Sequence, residues 1–181
     1  LQGTHPDRGT DAPPVLLRGN MHPLPPTEAT AEPFTSTNGA MHACGHDLHT
    51  AGLVGALRLL AAHRDELRGD VVAMFQPGEE GLGGAKDMID EGMFDTIGST
   101  PDAAYAIHVA PGEPGTFVTR PGTIMAGANT FHLTMHGKGG HSSRPQDAVD
   151  PIRPLLEFGQ AVYSMVTGSF SVFDPIVAEV T

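Results

Sequence analysis

Apolar and polar positions alternate in blocks along this chain, and the blocks predict a run of short elements. Pro-Val-Leu-Leu-Arg (14–18) reads as a short buried strand, and the Pro-rich stretch after it, GNMHPLPPTEATAEPF, as a loop. From Asp47 to about Leu67 the period turns helical: Leu48, Gly52, Gly55, Leu59 and Ala62 share a face that Leu53, Leu57 and Leu60 widen. Asp47 is placed to cap the start of that helix and Gly69 to end it. DVVAMFQP (70–77) is a nearly continuous apolar run closed by proline, the pattern of a buried parallel strand. GGAKDMIDEGMF (83–94) reads as a short helix and AAYAIHVAP (103–111) as another apolar strand. Strands alternating with helices point to an α/β sheet with crossover helices.

The pattern changes near residue 120. Gly115–Arg120 is expected as a strand, and TFHLTMH (130–136) alternates as a half-exposed strand does. GKGGHSSRPQDAVDP is a Gly-rich turn, 151–166 a helix carrying Ile152, Leu155, Leu156, Phe158, Val162 and Met165, and PIVAEVT (175–181) the start of a strand. The domain expectation is therefore 1–124 for an α/β unit and 125–181 for the beginning of an α+β unit that continues past the last residue.

Composition narrows the function classes. A chain of 181 residues suffices for one core-bearing domain, or for one and part of another. A formal charge of −11 argues against nucleic acid as a partner, because phosphate binding needs clustered Lys and Arg. No apolar run approaches the roughly 18 residues of a membrane span. The first residues, LQGTHPDRGTDAPP, lack the pattern of a signal peptide and an initiator Met, so a start upstream is expected; a single cysteine fits a reducing compartment, and a cytoplasmic location is expected. The single cysteine, Cys44, has no partner for an internal disulfide.

That cysteine sits in MHACGHDLHT (41–50), among His42, His46, Asp47 and His49. In α/β sheets ligands bind beyond the carboxyl ends of the strands, and three polar clusters fall at or near such ends: Cys44-Gly45-His46, Glu79-Glu80 in PGEEG, and His108. Together they offer thiolate, imidazole and carboxylate, a zinc-type donor set. Gly45 lets a Cys-x-His pair turn both donors toward one ion. Of two adjacent glutamates, one can ligate while the other acts as general base on water. Each point also has a plainer reading. His42 and His49 fit packed or solvated positions, Glu79-Glu80 a solvated surface, His108 a core histidine, Asp47 a helix cap and GKGGH a flexible turn. A structural metal site fits the same donors.

The segments LLRGNMHPLPPTEAT, MHACGHDLHT, FQPGEEGLGGAKDMIDEGMF, AIHVAP and GKGGHSSRPQDAVDPI, in that order, resemble the metal-dependent amidohydrolase and carboxypeptidase family that cleaves N-acyl amino acids. The nearest branch is that of hippurate hydrolase, N-acyl-L-amino acid amidohydrolase and the auxin-conjugate hydrolases. The likeness runs over nearly all of the chain from residue 14; MHACGHD with PGEEG at this spacing is its most specific part. It implies a zinc-exopeptidase-like catalytic domain with a mixed, mainly parallel sheet, followed by the first part of an inserted α+β, ferredoxin-like lid through which such proteins often form homodimers. It implies two divalent ions, usually zinc, manganese, cobalt or nickel. Carried over, Cys44 becomes the bridging ligand, His46, Glu80 and His108 further ligands, Glu79 the general base, Asp47 a residue orienting a ligand, and His141 of GKGGH the group that stabilises the oxyanion. The substrate implied is a small N-acyl amino acid.

Two departures stand out. Relatives usually read RxDMDALP where this chain reads RGNMHPLP, so Asn20 and His22 replace two acids, with His22 a candidate extra ligand. The family's remaining metal-binding histidine lies in a C-terminal part that is not among these residues, so the chain is expected to be part of a longer protein. Two rival readings follow: a degenerate or non-catalytic metal-binding relative, and a cysteine hydrolase with Cys44 as nucleophile.

Overall fold

The structure, a computed structural model, describes residues 1–7, 13–125, 127–171, 173 and 176–181. Three strands form one parallel sheet in the order β2-β1-β3: β1 (Val15–Asn20), β2 (Val71–Gln76) and β3 (Ala103–Ala106). The central strand pairs Val15 with Val71 on one side and with Ala103 on the other. Between β1 and β2 runs α1 (His46–Ala62), which packs on β1; α2 (Gly84–Asp90) and α3 (Met93–Ile97) lie between β2 and β3. Such crossovers are what parallel pairing requires.

The chain divides into two compact units, Leu1–Pro114 and Gly115–Thr181. The first holds the expected parallel sheet with helical crossovers, all three strands within a few residues of where the apolar runs place them. Its apolar core is small. Leu16, Leu53 and Met74 are its buried hydrophobic side chains among the described residues. Leu53 reaches β1 because Gly19 has no side chain: a Cβ there would lie 3.1 Å from both the Leu53 Cδ2 and the His49 carbonyl oxygen.

Several elements differ from expectation. Helix α1 begins at His46, not Asp47, and its N-cap is Gly45 in the left-handed conformation; Asp47 is an exposed residue of the first turn. There its charge suits the positive end of the helix without capping it. The helix expected over 83–94 is two short ones, because Gly92 at φ 87° breaks it. Strand β3 ends at Ala106, so His108 lies just past it.

In the second unit, α4 (Ile152–Ser169) forms as the periodicity predicts, with Asp150 accepting from the Ile152 N–H at 2.9 Å at its start. Residues 115–120, 130–136 and 176–181 are not strands. Alternation favours an extended backbone, but a strand exists only with a neighbour to pair with, and none of these segments has a strand beside it among the described residues. The one pairing described in this unit outside α4 is a bridge between Lys138 and Val149, which closes the loop that carries His141. No described helix is long and apolar enough to cross a membrane.

Candidate metal centre

Among the described residues the most deeply buried side chains are polar: Asn20 and His46, each 1 % exposed. Buried polar groups need partners, and theirs define the site. It lies at the carboxyl ends of the three strands. Asn20 ends β1, Glu79 and Glu80 follow β2 in a turn closed by Gly84 N–H donating to the Gly78 carbonyl, and His108 follows β3. The loop after β1 is stapled to the segment before α1 by two Leu24–Met41 backbone hydrogen bonds of 2.8 Å.

Gly45 sets the Cys44–His46 geometry. Its φ is 76°, and a Cβ would meet Val109 Cγ2 at 2.5 Å, so the segment turns back and lies against the residue after His108. His46 is thereby the first residue of α1. Its Nδ1–H donates to the His22 carbonyl at 2.7 Å, which leaves the lone pair on Nε2. His108 is fixed the same way: Nδ1–H donates to the Val109 carbonyl at 2.7 Å, and Nε2 lies 3.5 Å from Cys44 Sγ. Second partners of this kind set the tautomer and direction of metal-binding histidines.

The donor atoms form two overlapping groups. Cys44, His46 and His108 present atoms all within 4.8 Å of one another, and so do His46, Glu79 and Glu80. His46 belongs to both; its Nε2 lies 3.8 Å from Glu79 Oε2 and 3.9 Å from Glu80 Oε1 and is buried with no hydrogen-bond partner. Cys44 belongs to the first group only. Desolvation pushes its thiol above the ordinary value, and the Glu80 and Glu79 carboxylates push it further. A raised thiol makes Cys44 a poor free nucleophile, which weighs against the cysteine-hydrolase reading. An unpartnered buried lone pair between a thiol and two carboxylates fits a divalent cation, which would satisfy all of them together.

His49 carries no site role in the sequence pattern, yet it is in the site. It is buried, its ring lies 4.5 Å from that of His108 and 5.3 Å from that of His46, and its Nε2 accepts the Val109 N–H at 3.0 Å. Burial first, then the nearby His108 and His46, lowers its pKa, so it is held neutral. The available signal was helical spacing, since residues three apart on a helix share a face. Asp47 is exposed and acts on this cluster only by its charge, which favours protonation of His49. His42 is exposed on the preceding turn, where its carbonyl accepts from Gly45 N–H.

The two neutral replacements are built in. Asn20 Nδ2–H donates to Glu79 Oε2 at 2.9 Å, and its Oδ1 accepts from the His22 N–H at 3.0 Å. His22 Nδ1 accepts from the Glu80 N–H at 3.1 Å, and His22 is in neither donor group. His141 lies in the second unit, exposed; its Nδ1 accepts from Ser143 N–H at 3.2 Å and sits 2.8 Å from Ser143 Oγ, which puts the ring proton on Nε2.

The family model of "Peptidase family M20/M25/M40" matches residues 16–176. The chain belongs to this family. Thermostable carboxypeptidase 2 of Saccharolobus solfataricus is 40 % identical over 171 residues, 92 % of this chain and 42 % of that protein. N-acetylcysteine deacetylase of Bacillus subtilis is 35 % identical over 173 residues, 94 % of this chain and 44 % of that protein. Among solved structures, a putative aminohydrolase from methicillin-resistant Staphylococcus aureus matches with TM-score 0.61 at 32 % identity over 90 % of this chain and 43 % of its own. A protein of Bacillus subtilis described as a dinuclear metal binding peptidase from the M20 family matches with TM-score 0.50 at 40 % identity over 57 % of this chain and 28 % of its own. The M20 chain described here thus spans less than half the length of the curated relatives it matches.

Proposed function

We propose that this M20 protein hydrolyses the amide bond of N-acyl amino acids or small peptide-like amides at a binuclear metal centre. The observation that carries the reading is the buried, unpartnered His46 Nε2 at the meeting point of two donor groups, with Glu79 beside it. The names of two relatives, a dinuclear metal binding peptidase and an N-acetylcysteine deacetylase, support the same direction.

In this reading Cys44, His46, Glu80 and His108 would hold the ions; zinc, manganese, cobalt and nickel all suit this S/N/O set. When bound, the metal makes a water acidic near neutral pH and polarises the amide carbonyl. Glu79 would take the proton from the attacking water as the water oxygen adds to the carbonyl carbon. The same carboxyl then gives the proton to the nitrogen as the C–N bond breaks. His141, with Nε2–H turned outward from Ser143, donates to the oxyanion, a charge present mainly in the transition state. The lid unit runs from about residue 125 and joins two copies as a homodimer. Asp47 steadies the cluster by its charge.

The test is hydrolysis of a panel of N-acyl amino acids by the intact protein, before and after chelation, with Glu79→Gln beside it. Activity is expected to vanish on chelation, return with zinc, manganese or cobalt, and fall about 100-fold or more in E79Q. Activity that survives chelation contradicts the reading.

A further inference from the structure

We propose that Asn20 is a positioning residue for Glu79, holding one carboxylate oxygen so that the other is free to take a proton. The inference rests on the proposed role of Glu79; the contact itself does not.

Asn20 is the least mobile kind of partner the site offers. It ends the central strand, pairs in register with Gln76, and its backbone carbonyl accepts from the Thr50 hydroxyl at 3.1 Å. Its side-chain Oδ1 is occupied by the His22 N–H, so the amide plane has one orientation and Nδ2 is turned toward Glu79. Glu79 has no such anchoring of its own. It sits in a turn with its side chain 39 % exposed, free to swing toward water. The hydrogen bond from Asn20 lands on Oε2, the oxygen 3.8 Å from His46 Nε2. That fixes the carboxylate plane beside the donor cluster and leaves Oε1 unclaimed.

Where an acid at position 20 would be ionised, only the neutral amide satisfies both contacts at once. A carboxylate at position 20 accepts from the His22 N–H equally well, but its second oxygen has no hydrogen to offer Glu79. Two acceptors then face each other across 2.9 Å at a residue that is 1 % exposed. Asn20 is thus a working part of this site, and the acid usual in relatives is the worse residue here. The degenerate-relative reading predicts the opposite sign.

The experiment compares wild type, Asn20→Asp, Glu79→Gln and the double variant N20D/E79Q in the intact protein. Two readouts are taken: kcat and KM of the metal-loaded enzyme, and the thermal midpoint of the metal-free protein. N20D is expected to lose about 10–100-fold in kcat with KM nearly unchanged, the size of loss typical when a group supporting a metal-site residue is removed. Metal-free N20D melts lower than wild type. N20D/E79Q recovers most of that loss, because the amide introduced at position 79 donates to the carboxylate introduced at position 20; kcat stays low, since the base is gone. Should N20D fail to fold, the double variant still folds. A kcat of N20D equal to or above wild type overturns the inference, and so does a double variant whose melting loss is the sum of the two single ones. A wild-type protein that binds metal but hydrolyses nothing overturns the proposed function instead, while the melting comparison still decides whether Asn20 holds Glu79.

Discussion

Gly45 concentrates the logic of the site in one residue. Its left-handed φ and the 2.5 Å approach of Val109 to where a Cβ would sit both demand glycine. Gly45→Ala is expected to cost more than about 1 kcal/mol, read by denaturant unfolding, and to weaken metal binding because Cys44 and the His108 segment move apart; unchanged metal affinity would show the turn is not what joins them. That Cys44, His46, Glu79, Glu80 and His108 fall near successive strand ends is legible in the sequence alone, though each also has a plainer reading there. Orientation is not legible there. That His22 serves through its backbone carbonyl, that Asn20 reaches Glu79 rather than an ion, and that His49 anchors Val109 all depend on contacts between residues 24 to 60 positions apart.

At the scale of elements, α1 carries both the site and the core. Leu53 packs it on Gly19, and Leu53→Ala is expected to cost about 2–5 kcal/mol, measured as a shift in unfolding midpoint; a loss well below that range would mean the cavity collapses without consequence. At its other end His63 closes the helix, and a hydrogen bond from its ring to Glu66 at 2.8 Å, then the Glu66 charge, raises its pKa above 6.5. Because the folded value is the higher one, the contribution is fully present below pH 6.5 and is lost as pH rises through the folded value. NMR titration of His63 should show the raised value, and Glu66→Gln should lower it; both residues are exposed, so the effect on stability is small. Helices and apolar strands were readable because their signals are local. The strands expected at 115–120 and 130–136 are not formed because pairing is not a local property, and the division of 83–94 into α2 and α3 turned on Gly92, a residue the period alone passes over.

At the scale of the whole molecule, the candidate ligands and Glu79 lie in the first unit and His141 in the second. The chain's share of its M20 relatives, 42 % and 44 % of two of them, sets the experiments on the intact protein. Within the first unit His46 Nε2 is buried and has no hydrogen-bond partner among the described residues. A divalent ion should therefore act as a stabilising ligand: at about 100 times its Kd, zinc is expected to add about 2.7 kcal/mol, seen as a rise in melting temperature that His46→Ala abolishes. A rise of equal size in the variant would place the ion elsewhere.

The most direct measurement is elemental analysis of metal in the purified intact protein beside its H46A variant. The proposed binuclear centre predicts about two divalent ions per chain in the wild type, and the place of His46 in both donor groups predicts a large loss in H46A. A wild-type protein without metal, or equal content in both, would contradict the account at its centre.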